Sequence, residues 1–332
     1  MPIITYLNRK SLVLGEVGGL DSKSILYGCN IYGLYSQWIL TPASGRLVQL
    51  TKKSKMVDPI QIVAHVGIDK DFLTQIRTWA NEVLERTGSL PPCPYLCIRI
   101  WKTIERFQAF YREEKEALGV ITGEETDFLA THDAWRGYPR IHICQERLKG
   151  ISSAIFQGIV HHETSHALHH GTPEFYTFRF SSRLQEMGRS YGLDLPLLQQ
   201  CVYFLSVALK DREVIQWLAE IGLGFGQIAL LEHLISDTEE ERQMWEVVRG
   251  FSALRKIALA AFLKTFLPIE AMISVGIEEV QSLRNQWDGA YRWLSERDRE
   301  GLSRLAQWTL NPEGNNFQER LEQAVLRLIT QF

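Results

Sequence analysis

A histidine-rich stretch, residues 159–171, constrains the fold of this chain more than any other. It reads I-V-H-H-E-T-S-H-A-L-H-H-G and holds five of the nine histidines around a single glutamate. Apolar residues before it recur at three- and four-residue steps, which predicts a helix with one buried side. Gly171 and Pro173 end that helix directly after the histidines. The polar cluster is therefore expected at the end of a buried helix that opens to a loop.

The same stretch contains the pattern H-E-x-x-H, formed by His162, Glu163 and His166. Positions i and i+4 lie on one face of an α-helix, so both imidazoles can reach one metal ion. Zinc accepts nitrogen and oxygen ligands tetrahedrally, and a catalytic zinc site keeps one position for water, whose pKa the metal lowers to about 7. The pattern predicts one zinc ion, with Glu163 as the general base that takes a proton from that water.

A third ligand is expected on the helix predicted at 195–221. Asp211 falls in the middle of the apolar face of that helix, whereas Glu213 lies well round from it. Because a carboxylate is almost never fully buried without a partner, a metal ion is a natural counter-charge for Asp211. We favour Asp211 as the third ligand and keep Glu213 as the alternative. The explanation without a metal is an ion pair with a cation such as Arg147 or Arg212.

These features resemble the zincin superfamily of metallopeptidases. The resemblance covers residues 60–235 and rests on I-H-I-C-Q-E-R-L at 141–148 followed by the histidine-rich stretch. In zincins the H-E-x-x-H helix follows a strand of a sheet whose exposed edge receives the substrate, which implies that 138–144 is that edge strand. The metzincin pattern is excluded, because it needs glycine and histidine where this chain has His169 and Thr172.

The resemblance also bears on the remaining site residues. Gluzincins carry a glutamate on a later helix, usually followed four residues on by an aspartate; Glu213 fits the first position, but position 217 is tryptophan. Other members use aspartate as the third ligand, as Asp211 would be used here. Zincins commonly place a Tyr, His or Arg beside the metal to stabilise the oxyanion. Tyr176, in the segment after the metal helix, is the candidate for that catalytic role.

The other histidines are assigned to packing or solvent. His161 is expected to point away from the first ligand, and His169 and His170 to face solvent or to lie behind the ligands. His142 is expected to pack within its predicted strand. No sequence neighbour suggests chemistry for His65, His132 or His233.

The predicted fold class is α+β, with a zincin-like core and a mainly α-helical C-terminal half. The core would be a small mixed sheet with the H-E-x-x-H helix and a second ligand-bearing helix. A chain of 332 residues, 45% of them hydrophobic, can bury such a core and carry additions. We divide it into a β-rich N-terminal extension (1–57), a zincin-like metal-binding domain (58–236) and an α-helical C-terminal domain (237–332).

Residue patterns place the elements within these divisions. Strands are predicted at 95–101, 119–122 and 138–144. Helices are predicted at 69–86, 152–170, 195–221, 225–235, 239–266, 277–311 and 316–331.

Charge and apolar patterning exclude several partners. A formal net charge of -3 gives no basic field for nucleic acid. The longest apolar stretch, 257–275, is interrupted by Lys264, Pro268 and Glu270, which predicts no membrane span. The N-terminus lacks a signal-peptide pattern, and five scattered cysteines suit reduced thiols, so we expect a cytoplasmic protein.

The sequence supports two functional hypotheses. The first is a zinc-dependent metallohydrolase, specifically a peptidase, acting on a peptide or protein substrate. The alternative is a catalytically silent zincin-like protein with a structural or vestigial metal, which binds a protein partner through its C-terminal helices. A closed site with four protein ligands, His170 or Glu213 being added, would favour the alternative because no position remains for water.

Overall fold

The computed structural model describes residues 59–89, 91–92, 95–118, 129–236 and 238–332. Within them the chain forms four strands and eleven α-helices, which confirms the predicted α+β class. The strands are β1 (Ile60–Ala64), β2 (Leu96–Trp101), β3 (Ala130–Asp133) and β4 (Arg140–Cys144). The helices are α1 (Lys70–Thr87), α2 (Ile104–Leu118), α3 (Ser153–His169), α4 (Ser182–Ser190), α5 (Leu195–Glu220), α6 (Gly224–Ile235), α7 (Glu239–Val248), α8 (Ser252–Val275), α9 (Val280–Ala290), α10 (Glu296–Leu310) and α11 (Phe317–Gln331).

Most of the predicted elements that fall on described residues are present. The predicted strand 95–101 is β2, and the helices predicted around α1, α3, α5, α6 and α11 agree to within two residues. The stretch predicted as one helix at 239–266 is two helices, α7 and α8, and α8 continues to Val275. The stretch predicted at 277–311 is likewise two helices, α9 and α10, and Ser295 caps α10. The predicted extension 1–57 and the predicted strand 119–122 lie outside the described residues.

The four strands form one mixed sheet in the order β1-β2-β4-β3. β1, β2 and β4 are parallel, and β3 runs antiparallel to β4 with Ala130 opposite Ile143. β4 therefore pairs on both sides, and all five of its residues are buried. The prediction that 138–144 is the exposed edge strand is wrong, because β3 covers that side.

The two faces of the sheet have different partners. One face packs its isoleucines against α1 and α3, in a core that includes Ile76 and Ile159. The other face meets α2 through Trp101, Phe107 and Tyr111. Helix α3 thus lies directly on the sheet, and its last turns carry the histidine cluster.

A second core is built from helices only. α5 packs along α8, and one hydrophobic cluster joins residues from Leu184 in α4 to Ile329 in α11. Asp194 caps α5 by accepting a hydrogen bond from the backbone N–H of Leu197. This cluster includes residues on both sides of 236–237, so the long helix α5, which carries Asp211, is held by the C-terminal helices. The domain boundaries drawn from the sequence stay a prediction.

One described helix, α8, is long and apolar enough to cross a membrane by length and composition alone. The bent pair α4 and α5, at 110°, would add a second candidate if it were one span. Within α8, 72% of the most apolar window is buried by the rest of the protein, as in the core helix of a soluble protein. The absence of a membrane span therefore stays a prediction.

Helices α3 and α6 touch through their backbones at two glycines. A Cβ atom on Gly158 would lie 2.2 Å from the carbonyl oxygen of Gly226. The side-chain amide of Gln227 donates to the carbonyl oxygen of Gly158 at 2.9 Å. The approach of the two helices therefore depends on the lack of a side chain at position 158.

Gly158→Ala is accordingly expected to lower the free energy of unfolding by about 3 kcal/mol, because overpacking against backbone forces the helices apart. Urea denaturation monitored by circular dichroism measures this. Gly289→Ala in α9 is the matched control, since a Cβ there meets nothing within 4 Å, and it should stabilise by about 0.5–1 kcal/mol. Equal behaviour of the two variants would contradict the close backbone contact.

Candidate metal centre

Three side chains from α3 and α5 converge where the two helices pack together. His162 and His166 lie one turn apart on α3, and their Nε2 atoms are 2.9 Å apart. Asp211, in the middle of α5, places its Oδ1 atom 3.1 Å from Nε2 of His166 and 3.6 Å from Nε2 of His162. The ligand atoms all lie within 4.8 Å of one another, so the group could hold a metal ion.

The chemistry of this group fits a metal ion. Burial alone would raise the pKa of Asp211, but hydrogen bonds with His162 and His166 outweigh it and hold that pKa well below its usual value. Burial lowers the pKa of His166 well below its usual value. An ionised carboxylate and a neutral imidazole are the forms that bind metals, and Asp211 and His166 are shifted toward those forms. The hydrogen bond with Asp211 instead raises the pKa of His162, whose proton a metal ion would displace. Two nitrogens and one oxygen suit zinc, and also manganese, cobalt or nickel.

Glu213, the alternative third ligand, is not part of this group. It lies two residues beyond Asp211 on α5, and therefore on a different side of the helix. One of its oxygens, Oε2, lies 3.1 Å from Nε2 of His170. The other, Oε1, accepts a hydrogen bond from Nη2 of Arg320 at 3.0 Å. The structure thus brings Asp211, and not Glu213, to the histidine pair.

Glu163, the predicted general base, is buried beside the group and is held by β3. Its Oε2 atom lies 2.6 Å from Nδ1 of His132. The His132 ring also stacks on the ring of His166, with 4.0 Å between centroids and 13° between planes. His132 was not predicted from the sequence to be a site residue, because A-T-H-D is too short and polar to show the period of a strand.

Tyr176 lies on the same side of the site. It follows the short 3-10 turn Pro173–Phe175, and its ring centroid is 6.1 Å from that of His132. Nζ of Lys210 lies 4.7 Å from the Tyr176 ring centroid, and Lys210 is itself buried next to Asp211 in sequence. The signal in the sequence is a lysine inside the apolar helical pattern of 195–221, since lysine is rarely buried. Lys210 therefore adds a positive charge beside the site that was not predicted from the sequence.

His170 lies behind the candidate ligands rather than in solvent. It is 1% exposed, and its Nδ1 atom lies 3.1 Å from Nδ1 of His166. Burial lowers the pKa of His170 to about 4, so its imidazole is neutral near pH 7. Of the two places expected for His170, the structure shows the one next to a candidate ligand, His166. His169 is exposed and packs on Trp217.

Two further histidines have structural partners. His161 points away from the ligand group, as expected, and its Nε2 lies 3.1 Å from Oε2 of Glu82. His142 lies on the opposite face of the sheet from α3, where its Nδ1 accepts from Nε1 of Trp101 and its Nε2 lies 3.0 Å from Oδ2 of Asp133. Neither residue belongs to the candidate metal centre.

Behind β3 and β4, a buried polar network fixes the strand that carries His132. Arg140 is fully buried, and its Nη2 atom lies 2.8 Å from Oδ1 of Asp133 and 2.6 Å from Oε2 of Glu114. This cation therefore joins β4 to β3 and both strands to α2. The network supports the site without contacting the ligand group.

Comparison of the chain with protein-family models, with curated proteins and with solved structures found no match. The resemblance to zincins therefore rests on the motif residues and on the side chains gathered around them.

Proposed function

We propose that this protein is a zinc-dependent metallohydrolase of the zincin type, specifically a peptidase. His162, His166 and Asp211 would hold one zinc ion, and Glu163 would act as the general base. The observation that carries this proposal is the convergence of the three ligand atoms beside a buried glutamate on the same helix. Three protein ligands leave one position for water, as in catalytic zinc sites.

When bound, zinc would lower the pKa of a water molecule and polarise the substrate carbonyl. The chain's own residues then carry the proton. Glu163 accepts it from the attacking water and passes it to the leaving amine. His132 holds the Glu163 carboxylate from the side of β3. Tyr176 is the proposed donor to the oxyanion.

The arrangement of elements supports a zincin-like core. The H-E-x-x-H helix α3 lies on a small mixed sheet, and the second ligand-bearing helix α5 crosses it. β3 is the antiparallel strand at the end of the sheet, and among the described residues it pairs only with β4. We propose that β3, in place of 138–144, offers its free backbone groups to an extended peptide substrate.

The polar contacts of His170 and Glu213 favour the enzyme over the silent protein-binding module. A closed site would need one of them as a fourth ligand. Both ring nitrogens of His170 already face Glu213 and His166, and both oxygens of Glu213 face His170 and Arg320. Neither side chain is left to close the site.

Metal content is the first test. Protein purified without a metal-affinity tag is expected to carry about one zinc ion per chain, because its three ligands are already gathered. His162→Ala and Asp211→Ala should lose the zinc, and His169→Ala, which changes an exposed neighbour, should keep it. Elemental analysis measures all four proteins. A wild-type protein that holds no zinc, even after zinc is added and the excess removed, would contradict the proposal.

Hydrolysis is the second test. The zinc-loaded protein should cleave members of a peptide library, detected by mass spectrometry of the products. Removal of zinc by a chelator should stop cleavage, and zinc added back should restore it. A protein that binds zinc but cleaves no peptide would favour the silent alternative.

A further inference from the structure

The segment between α3 and α4, residues 170–181, carries Tyr176 past the candidate metal centre and is here called the Tyr176 segment. It begins at His170, beside His166, and ends at Ser181, which caps α4. Its one regular element is the short 3-10 turn Pro173–Phe175. The position of Tyr176 therefore depends on contacts with neighbouring elements.

Two side chains from other elements contact the Tyr176 ring. The ring of His132, on β3, lies 6.1 Å away between centroids, and Nζ of Lys210, on α5, lies 4.7 Å from the Tyr176 centroid. His132 also contacts Glu163 at 2.6 Å, and Lys210 directly precedes Asp211. The Tyr176 ring thus lies between a neighbour of the proposed base and a neighbour of the proposed third ligand.

Helix α11 holds the segment directly before Tyr176. Phe317 is the first residue of α11 and is 7% exposed. Its ring centroid lies 5.4 Å from that of Phe175, the residue that precedes Tyr176. Because such aromatic pairs bury a large area in a preferred geometry, Phe317 fixes the backbone that leads into Tyr176.

The same helix also holds the segment after Tyr176. The side-chain amide of Gln318 makes two hydrogen bonds with the backbone of Arg179: its Oε1 accepts from the N–H at 3.4 Å, and its Nε2 donates to the carbonyl oxygen at 3.2 Å. Further along, Oγ of Ser181 donates to Oε1 of Glu322 at 2.7 Å. Gln318 and Glu322 are four residues apart and share one face of α11. Contacts with one helix therefore bracket Tyr176.

Phe317 and Gln318 share only part of their surroundings. Neither belongs to the grouped ligands. The Phe317 ring also lies 6.1 Å from the ring of His170, between centroids. No contact between Gln318 and His170 is present among the described residues. An effect common to changes at both positions can therefore be traced to the Tyr176 segment.

We propose that Phe317 and Gln318 are positioning residues that hold Tyr176 where its hydroxyl donates to the oxyanion of the substrate. The catalytic part of this inference rests on the proposed function, in which Tyr176 is that donor. An oxyanion donor must lie about 2.7–3.1 Å from the oxyanion, and a displacement of about 1 Å can lower kcat by about 100-fold. Through these two residues the C-terminal helix α11 becomes part of the proposed active site.

A double-mutant cycle with Tyr176→Phe tests this proposal. We expect Phe317→Ala to lower kcat by about 10–100-fold and Gln318→Leu by about 5–10-fold, with KM within about twofold of wild type, on the peptide that the library identifies. Zinc content should stay unchanged. In a chain that already carries Tyr176→Phe, neither change should lower kcat further, because the hydroxyl that they position is gone.

A second measurement does not need activity. In protein labelled with 3-fluorotyrosine, the Tyr176 signal is the 19F resonance that disappears in Tyr176→Phe. Phe317→Ala and Gln318→Leu should both shift or broaden this resonance. Phe317→Leu, which keeps an apolar contact with Phe175, should bring kcat and the resonance most of the way back to wild type.

Gln323→Leu is the matched control for Gln318→Leu. Gln323 is also a half-buried glutamine of α11, but it makes no hydrogen bond to the Tyr176 segment among the described residues. Its replacement should leave kcat and the Tyr176 resonance at their wild-type values.

The proposal is overturned if kcat falls by the same factor with and without the Tyr176 hydroxyl, or if the Tyr176 resonance is unchanged in both variants. Gln318→Leu alters a partly exposed side chain, so it decides the matter if Phe317→Ala does not fold. If the wild type cleaves no peptide, the proposed function fails separately, and the resonance still tests whether α11 positions Tyr176.

Discussion

Glu163→Gln is expected to reduce peptide hydrolysis by about 10²–10⁴-fold while leaving the zinc content unchanged. Glutamine has the shape of glutamate and keeps an oxygen that can accept from His132, but it cannot take a proton from water. Glu163 is also not one of the three grouped ligands. The loss should therefore appear in kcat, measured on the peptide that the library identifies, at equal zinc occupancy.

Glu82→Gln provides the matched control. Glu82 faces His161 at 3.1 Å, so it is also a carboxylate beside a histidine of α3, but on the side turned away from the ligand group. Its replacement should leave kcat and zinc content at the wild-type values. If Glu163→Gln cleaved as fast as wild type, Glu163 would not be the general base.

The second large effect is on stability. Arg140→Met is expected to lower the free energy of unfolding by about 3–5 kcal/mol, because it removes the buried cation that the carboxylates of Asp133 and Glu114 share. Methionine keeps much of the volume of the arginine side chain, so the loss of stability measures the effect of removing the buried charge. Urea denaturation at pH 7 measures it, provided that the slope of the transition is unchanged.

Arg136→Met is the control for this loss. Arg136 also pairs with Glu114, at 3.2 Å, but its side chain is 43% exposed. Exposed ion pairs contribute at most about 1 kcal/mol, so this variant should stay close to wild type. Similar losses of unfolding free energy in the two variants would show that burial does not determine how much an ion pair contributes to stability. His132, the hydrogen-bond partner of Glu163, lies next to Asp133 on β3. Arg140→Met should therefore also make the position of His132 less fixed.

The helices that carry the candidate ligands could be predicted from the sequence because their signals are local. The H-E-x-x-H spacing and the apolar run before it define α3, and the apolar face of α5 singles out Asp211. The same periodicity separates Glu213 from Asp211. What Glu213 contacts could not be predicted, since its partner Arg320 lies 107 residues further along the chain.

The arrangement of the sheet, by contrast, could not be predicted from local signals. The sequence of β4 reads as a strand, but whether such a strand is central or at an edge depends on its neighbours, not on its own residues. β3 is four residues long and carries polar side chains, so it has no apolar alternation to detect. His132 was missed for that reason, although the structure brings it to Glu163.

The contact between Gly158 and Gly226 limits which sequences can keep this site. Gly158, His162 and His166 follow one another at four-residue steps, so they share one face of α3. A side chain at 158 would push this face of α3 away from α6. Position 158 lies only about one turn, or about 6 Å along the helix axis, before His162. Among variants of this protein that preserve the metal geometry, position 158 should therefore tolerate as little change as the histidines, although it contributes no ligand atom.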